Sequence, residues 1–202
     1  MFWGMLALIL LTMTACDELW ADVGAEVKDA YGIDINNPTE IAISAFGAGA
    51  MGNSQVADGL DVYRAIRRVE HEENGDRLFA SNRFAEARTE YLEALKWAPT
   101  GSDAQRNRAG GIYGQIANSY GAEADSVANP TGRMQLKRQE GRAWLQGARV
   151  TGSSSEKRSA LILAGFAMGA GGDPATACQC FTQSGVDGSP AVAEGIKAFG
   201  CK

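Results

Sequence analysis

The sequence predicts an all-α fold of stacked antiparallel helical hairpins that ends in a C-terminal capping helix. The first observation is a stretch, residues 75–99, in which small and aromatic residues recur at helical spacing on both sides of a tight turn. The second is a later stretch, residues 165–184, that repeats this spacing. The third is composition, because the 202 residues include 25 glycines and such small residues let helices approach closely.

Residues 75–99 are predicted to form two helices folded back on each other. Asn82 and Arg83 fall at the tight turn, and Pro99 ends the second helix. The residues that carry the pattern are Gly75 and Leu78 on the first helix and Ala87, Tyr91 and Ala94 on one face of the second. This pattern resembles the tetratricopeptide repeat (TPR). The resemblance implies a TPR-like α-solenoid that serves as a binding scaffold, and it does not identify what is bound.

The second stretch repeats the spacing of the first at six positions. Its matching positions are Gly165, Met168, Gly172, Ala177, Phe181 and Ser184. Pro190 follows one residue later than Pro99 would predict. Because a hairpin that cannot bury its apolar face alone must stack on others, two matches predict a short array. Residues 190–199 are predicted to form its terminal cap.

The unit between the two matches is irregular. One helix is expected to begin near Gly110 and Tyr113, and a returning helix is expected at about 133–149. The connection between them is longer than the family pattern allows, so the unit has either an extended arm or elongated helices. Residues 151–155 are expected to form the next loop. Upstream, we favour a single helix from about 56 to 81, with a break near Gly75 as the alternative.

The N-terminal residues 1–15 contain no charged side chain. Their apolar run is about the length of a signal-peptide core and too short for a comfortable membrane span. The run ends in Thr14, Ala15 and Cys16, which resembles a bacterial lipoprotein signal. The resemblance implies that residues 1–15 are removed and that Cys16 is lipidated. The alternatives are an ordinary signal peptide and a retained short anchor with a buried Cys16.

The remaining sequence divides into two predicted parts. Residues 16–55 form an N-terminal anchor segment with an amphipathic helix at 17–31 and a Gly/Ala-rich stretch that is either a packed hairpin or a linker. That stretch carries no phosphate-loop pattern, which argues against nucleotide binding. Residues 56–202 form the TPR-like helical repeat domain.

Residue types in the sequence argue against catalysis. His71 is the one histidine, and without further ligands or a nucleophile motif it supports neither a metal site nor a catalytic triad. We therefore expect no catalytic residue, no metal, no cofactor and no small-molecule substrate. The net charge of −5 argues against a general nucleic-acid binder.

Three cysteines follow Cys16. We expect Cys201 to form a disulfide with either Cys178 or Cys180, and the third cysteine to stay buried or to form an intermolecular bond. Cys178 and Cys180 should not pair with each other, because residues two apart on a helix point in different directions. A Cys-x-Cys metal site is the less favoured alternative, since further ligands are missing.

Charge is unevenly distributed along the predicted helices. The acidic residues cluster at Glu70, Glu72, Glu73 and Asp76, and a basic stripe consists of Arg133, Lys137, Arg138 and Arg142. Either set could steer a partner, but solvated helix faces are the favoured interpretation.

These observations predict a lipid-anchored protein of the bacterial cell envelope, periplasmic or surface-facing, that binds other envelope proteins in a helical groove. The residues expected to contact the partner are Asn74, Arg77, Ser81, Asn107 and Gln115. The alternative is a stoichiometric structural subunit of an envelope machine or extracellular filament.

Overall fold

The computed structural model describes residues 54–185 and 189–201. Within those ranges all regular secondary structure is helical and no strand occurs, so the all-α prediction is confirmed. None of the helices in this part of the chain is long and apolar enough to cross a membrane. The predicted signal, the lipidation residue Cys16 and the helix at 17–31 lie outside the described residues.

Seven helices follow one another in the described ranges. They are α1 (Ser54–Ala80), α2 (Phe84–Trp97), α3 (Asp103–Ser126), α4 (Pro130–Val150), α5 (Ser154–Ala170), α6 (Pro174–Ser184) and α7 (Pro190–Phe199). The chain divides into two compact units after Val69. In the second unit, α3 to α6 each pack chiefly against their neighbours in sequence, α3 also touches α5, and α7 packs on α5 and α6.

Side-chain caps explain where helices α3 to α6 begin. Ser102 and Gln105 form a capping box at the start of α3, in which each side chain accepts a hydrogen bond from the backbone N–H of the other. Asn129 caps α4 ahead of Pro130, and Ser153 caps α5. At the start of α6, the Asp173 carboxylate accepts a hydrogen bond from the backbone N–H of Thr176. These caps satisfy N–H groups that the helices themselves leave unpaired.

The turn between α1 and α2 has a left-handed residue at Asn82, whose φ is 58°. The Asn82 N–H donates to the carbonyl of Phe79 at 2.9 Å, and the Arg83 N–H donates to the carbonyl of Leu78 at 2.9 Å. These two bonds define a Schellman motif, which closes the C-terminus of α1.

The turn between α5 and α6 has the same geometry. Gly172, the residue that aligns with Asn82, has a φ of 78°. Its N–H donates to the carbonyl of Gly169 at 3.0 Å, and the Asp173 N–H donates to the carbonyl of Met168 at 2.9 Å. Because the turn requires a positive φ here, the position is occupied by asparagine once and by glycine once.

The two matching hairpins also share their helix–helix contact. A Cβ atom on Gly75 would lie 2.4 Å from the Tyr91 ring, and one on Gly165 would lie 2.6 Å from the Phe181 ring. Glycine on the first helix therefore makes room for an aromatic ring on the second in both hairpins. The other aligned second-helix residues are buried as well: Ala87, Ala94, Ala177 and Ser184.

The middle unit consists of elongated helices rather than an extended arm. Helix α3 begins at Asp103, well before the start expected near Gly110, and continues to Ser126. Residues 127–129 alone connect it to α4, which begins at Pro130 instead of residue 133. The loop expected at 151–155 is shorter too, because Ser154 already belongs to α5. Helix α1 continues unbroken through Gly75.

Helix α7 covers the end of the α5–α6 hairpin. A Cβ on Gly195 would lie 2.4 Å from the Phe181 ring, so the α7 backbone rests directly on that ring. Phe199 stacks on Phe181 with ring centroids 6.2 Å apart. A disulfide between Cys178 of α6 and Cys201 covalently joins the two segments. These contacts bury apolar surface that the last hairpin would otherwise expose.

Candidate binding groove

A groove with a cavity volume of about 470 Å³ lies between α3 and α5, with α4 as its floor. We call it the α3/α5 groove. The residues that line it on α3 include Asn107, Gly111, Gln115 and Asn118, those on α5 include Ser159 and Leu163, and Trp144 and Gly147 contribute from α4. Its walls therefore carry amide, hydroxyl and apolar groups together.

Close contact between α3 and α4 sets the depth of the groove. A Cβ on Gly147 would lie 3.2 Å from the carbonyl oxygen of Gly110, and one on Gly110 would lie 3.1 Å from the side chain of Thr151. A Cβ on Gly114 would lie 3.0 Å from the Trp144 ring. Gly110, Gly114 and Gly147 thus allow the two helices to pack with little between their backbones.

Gly111 differs from these glycines because packing does not require it. It is exposed, and a Cβ on this residue would meet nothing within 4 Å. A glycine in a helix costs about 0.5–1 kcal/mol relative to alanine. The absence of a side chain at Gly111 leaves the α3 backbone open to the groove.

Asn107 organises one end of the groove. Its Oδ1 accepts hydrogen bonds from the Thr151 hydroxyl and from the backbone N–H groups of Gly152 and Ser153, each at 2.9 Å. Asn107 therefore holds the α4–α5 connection in place, which is a structural role in addition to the partner contact expected from the sequence. Its oxygen is fully used within the chain.

Gln115 lies in the wall of the groove and links α3 to α1. Its Nε2 donates to Asp76 Oδ1 at 3.3 Å, and the Tyr91 hydroxyl donates to the same oxygen at 2.6 Å. Burial, followed by the hydrogen bond to Asp76, raises the pKa of Tyr91, so its hydroxyl remains a donor. The Gln115 Oε1 is buried and accepts no hydrogen bond within the described part of the chain. That oxygen is shielded from solvent.

The other three sequence-predicted contact residues lie elsewhere. Asn74, Arg77 and Ser81 belong to α1 and do not line the α3/α5 groove. Arg77 donates to the Asn74 Oδ1, and the Ser81 hydroxyl donates to the Arg77 carbonyl at 2.9 Å. The structure thus brings Asn107 and Gln115 together and leaves the α1 set in local contacts.

Leu163 supplies an apolar contact that the sequence did not single out. Its side chain is 43% exposed on α5, within the groove. Neighbouring α5 residues such as Leu161 and Ala164 are buried, so Leu163 lies off the packed face. Two features of the sequence indicate this groove. One is a leucine off the packed face, and the other is Gly111, a helical glycine that no close contact requires.

The predicted acidic cluster is partly internal. Glu72 is only 5% exposed and pairs with Arg108 at 2.8 Å, between Oε2 and Nη2. His71 is half-buried, and its Nδ1 lies 2.7 Å from Oε2 of Glu90. Among the described residues no three metal-ligating side chains gather into a possible ion site. These groups join α1 to α2 and α3 and leave little of the cluster for a partner.

The third cysteine, Cys180, is free and buried. Burial, and secondarily the negative charge of Asp173, raises the pKa of its thiol to about 11. The thiol is therefore protonated at neutral pH and is a poor nucleophile. Since Cys178 is already bonded to Cys201, the Cys-x-Cys pair is not arranged as a metal site.

Comparison of the chain with protein-family models, with curated proteins and with solved structures found no match.

Proposed function

We propose that the protein is a lipid-anchored envelope lipoprotein whose TPR-like array of helical hairpins acts as a protein–protein interaction scaffold. The observation that carries the proposal is the α3/α5 groove, formed between two successive first helices of the array. Support for the TPR-like arrangement comes from the α1–α2 and α5–α6 hairpins, which share the Schellman turn and the glycine–aromatic contact.

The groove is suited to a peptide segment of another envelope protein. Leu163 offers an apolar contact, and the open backbone at Gly111 allows a chain to approach closely. Trp144 at the floor adds an aromatic surface. The mechanism is recognition, with no cofactor, metal or small-molecule substrate.

The membrane part of the proposal rests on the sequence. The uncharged residues 1–15 followed by Cys16 favour a signal sequence and lipidation at that cysteine. Several acyl chains would make the attachment stable. The helical array would then be held beside the membrane, periplasmic or surface-facing, where other envelope proteins are its partners.

Site-specific photo-cross-linking in cells tests the groove directly. A photoreactive phenylalanine analogue at Leu163 should give a discrete protein adduct. The matched control position is Leu92, which is 50% exposed on α2 and does not line the groove. The proposal predicts an adduct at Leu163 and none of the same mass at Leu92. An adduct at Leu92 alone, or none at Leu163, would contradict it.

A further inference from the structure

Helix α4 presents a row of arginines on its outer face. Arg138, Arg142 and Arg149 are exposed, and at about 100° per residue they fall within about 40° of one another around the helix. We call these three residues the α4 arginine stripe. They span about 16 Å along the axis. Of the exposed residues beside them, Gln135, Gln139 and Gln146 are polar and uncharged, and Met134, which is 38% exposed, is apolar.

This stripe differs from the basic stripe expected from the sequence. Lys137 turns toward Glu140 at 3.0 Å and Asp125 at 3.4 Å, and Arg133 donates to the carbonyl of Val127 at 3.1 Å. Lys137 and Arg133 also lie about 100° and 140° around the helix from Arg138, off the exposed row. Arg149 takes their place on the exposed row.

Arg142 and Arg149 form no hydrogen bond or ion pair with the described part of the chain. Arg138 donates through Nε to the carbonyl of Gly171 at 2.6 Å, which fixes its position against the α5–α6 turn. Besides the hydrogen bonds at the α6 cap, the charges of Arg138 and Arg142 lower the pKa of Asp173, so both lie within electrostatic reach of that carboxylate. A chain with a net charge of −5 thus concentrates positive charge on one helix face.

We propose that the α4 arginine stripe rests on anionic phospholipid headgroups. Long guanidinium side chains in a row match a diffuse layer of phosphates better than a shaped protein epitope, which would need an apolar centre. Each arginine near such a surface is worth about a fivefold preference over a neutral surface, so the three together give roughly a hundredfold. An attraction of this size binds a free domain only weakly to the membrane. It becomes effective for a domain that is already tethered nearby.

This placement has a consequence for the groove. On α4, Gly147 and Trp144 lie about 160–220° around the helix from the centre of the stripe. Gly147 is buried and Trp144 half-buried at the groove floor, whereas the arginines are exposed. With the stripe on the membrane, the α3/α5 groove opens away from the lipid surface, toward soluble segments of its partners. The inference rests on the proposed anchor at Cys16.

The test uses the full lipidated chain reconstituted into phosphatidylcholine vesicles, with and without phosphatidylglycerol. A photoreactive residue is placed at Gln146, beside the stripe, or at Ser159, in the groove. We expect lipid adducts from Gln146 at least about tenfold above the level in neutral vesicles, and few from Ser159 in either. Arg142→Glu/Arg149→Glu should reduce the Gln146 adducts at least about tenfold.

Two variants control for charge and for geometry. Lys96→Glu/Lys197→Glu makes the same change in net charge at exposed residues of α2 and α7 and should leave the adducts unchanged. Arg142→Lys/Arg149→Lys should also retain them, because diffuse attraction needs charge rather than a bidentate fork. Equal adducts in neutral vesicles, or equal labelling from Ser159, would overturn the inference. If the Leu163 cross-link persists in that case, the scaffold proposal survives without it.

Discussion

At the scale of single residues, glycines have two opposite roles in this protein. A side chain at residue 165 is excluded because the Phe181 ring occupies the space beside Gly165, whereas Gly111 faces open space. Substitution by alanine should therefore change the free energy of unfolding in opposite directions at the two positions. The difference distinguishes a glycine that packing requires from one that leaves room for a ligand.

We expect Gly165→Ala to lower the free energy of unfolding by about 1–3 kcal/mol, because the new methyl group must displace the Phe181 ring. Gly111→Ala should raise it by about 0.5–1 kcal/mol, because alanine favours the helix and meets no neighbour. Urea denaturation followed by circular dichroism measures both. Equal losses in the two variants would show that Gly111 is packed and that the groove is closed.

Two contact residues illustrate what single-residue reasoning can and cannot predict. Gln115, which the sequence predicts as a partner contact, lines the α3/α5 groove, since its position on the first helix of a hairpin follows from helical spacing. The bonds from Asn107 to residues 151–153 were not foreseen, because they join positions far apart in the sequence. Leu163 was missed for a related reason. Periodicity shows that it leaves the packed face and does not show what lies beside it.

At the scale of helices and turns, the ends of the hairpins were predictable and the length of the middle unit was not. Asn82 and Gly172 mark turns that need a positive φ, and such turns have a recognisable residue choice. Helix α3 begins earlier than the small-residue pattern at Gly110 predicts, because the Ser102–Gln105 capping box lies upstream. Small residues within α3 serve helix contacts, which only the folded structure reveals.

The cap of α6 should make stability depend on pH. Hydrogen bonds from the Thr176 backbone N–H and hydroxyl lower the pKa of Asp173 below its ordinary value. The ionised carboxylate therefore stabilises the fold at pH values above its ordinary pKa, and this contribution is lost as the pH falls through the lowered pKa. Asp173→Ala should cost about 1 kcal/mol at neutral pH.

Asp173→Asn is the matched control for charge, because asparagine caps helices without ionising. The stability advantage of the native chain over Asp173→Asn should be largest at neutral pH and should shrink below about pH 4. Thermal melts across this range measure the difference. An advantage that grew toward acidic pH would contradict the assigned role.

At the level of the whole molecule, three structural features have observed or proposed tasks. Helix α7 and the Cys178–Cys201 disulfide cover the end of the last hairpin, whereas the α3/α5 groove is proposed to receive a partner and the α4 arginine stripe to face lipid. The all-α class followed from spacing in the sequence. The groove and the stripe required the fold, because each depends on which side of α4 a residue occupies.

The central claim is that the α3/α5 groove binds a protein segment, and blocking the groove tests it most directly. Gly111→Phe places a ring in the open space of the groove, where a Cβ meets nothing within 4 Å, so the fold should persist. Leu92→Phe enlarges an exposed side chain on α2 as the control. The measurement is the amount of partner recovered by affinity purification of each variant from membranes after chemical cross-linking. The account predicts a loss of at least about tenfold for Gly111→Phe, corresponding to about 1.4 kcal/mol, and none for Leu92→Phe. Undiminished recovery by a folded Gly111→Phe variant would contradict the account.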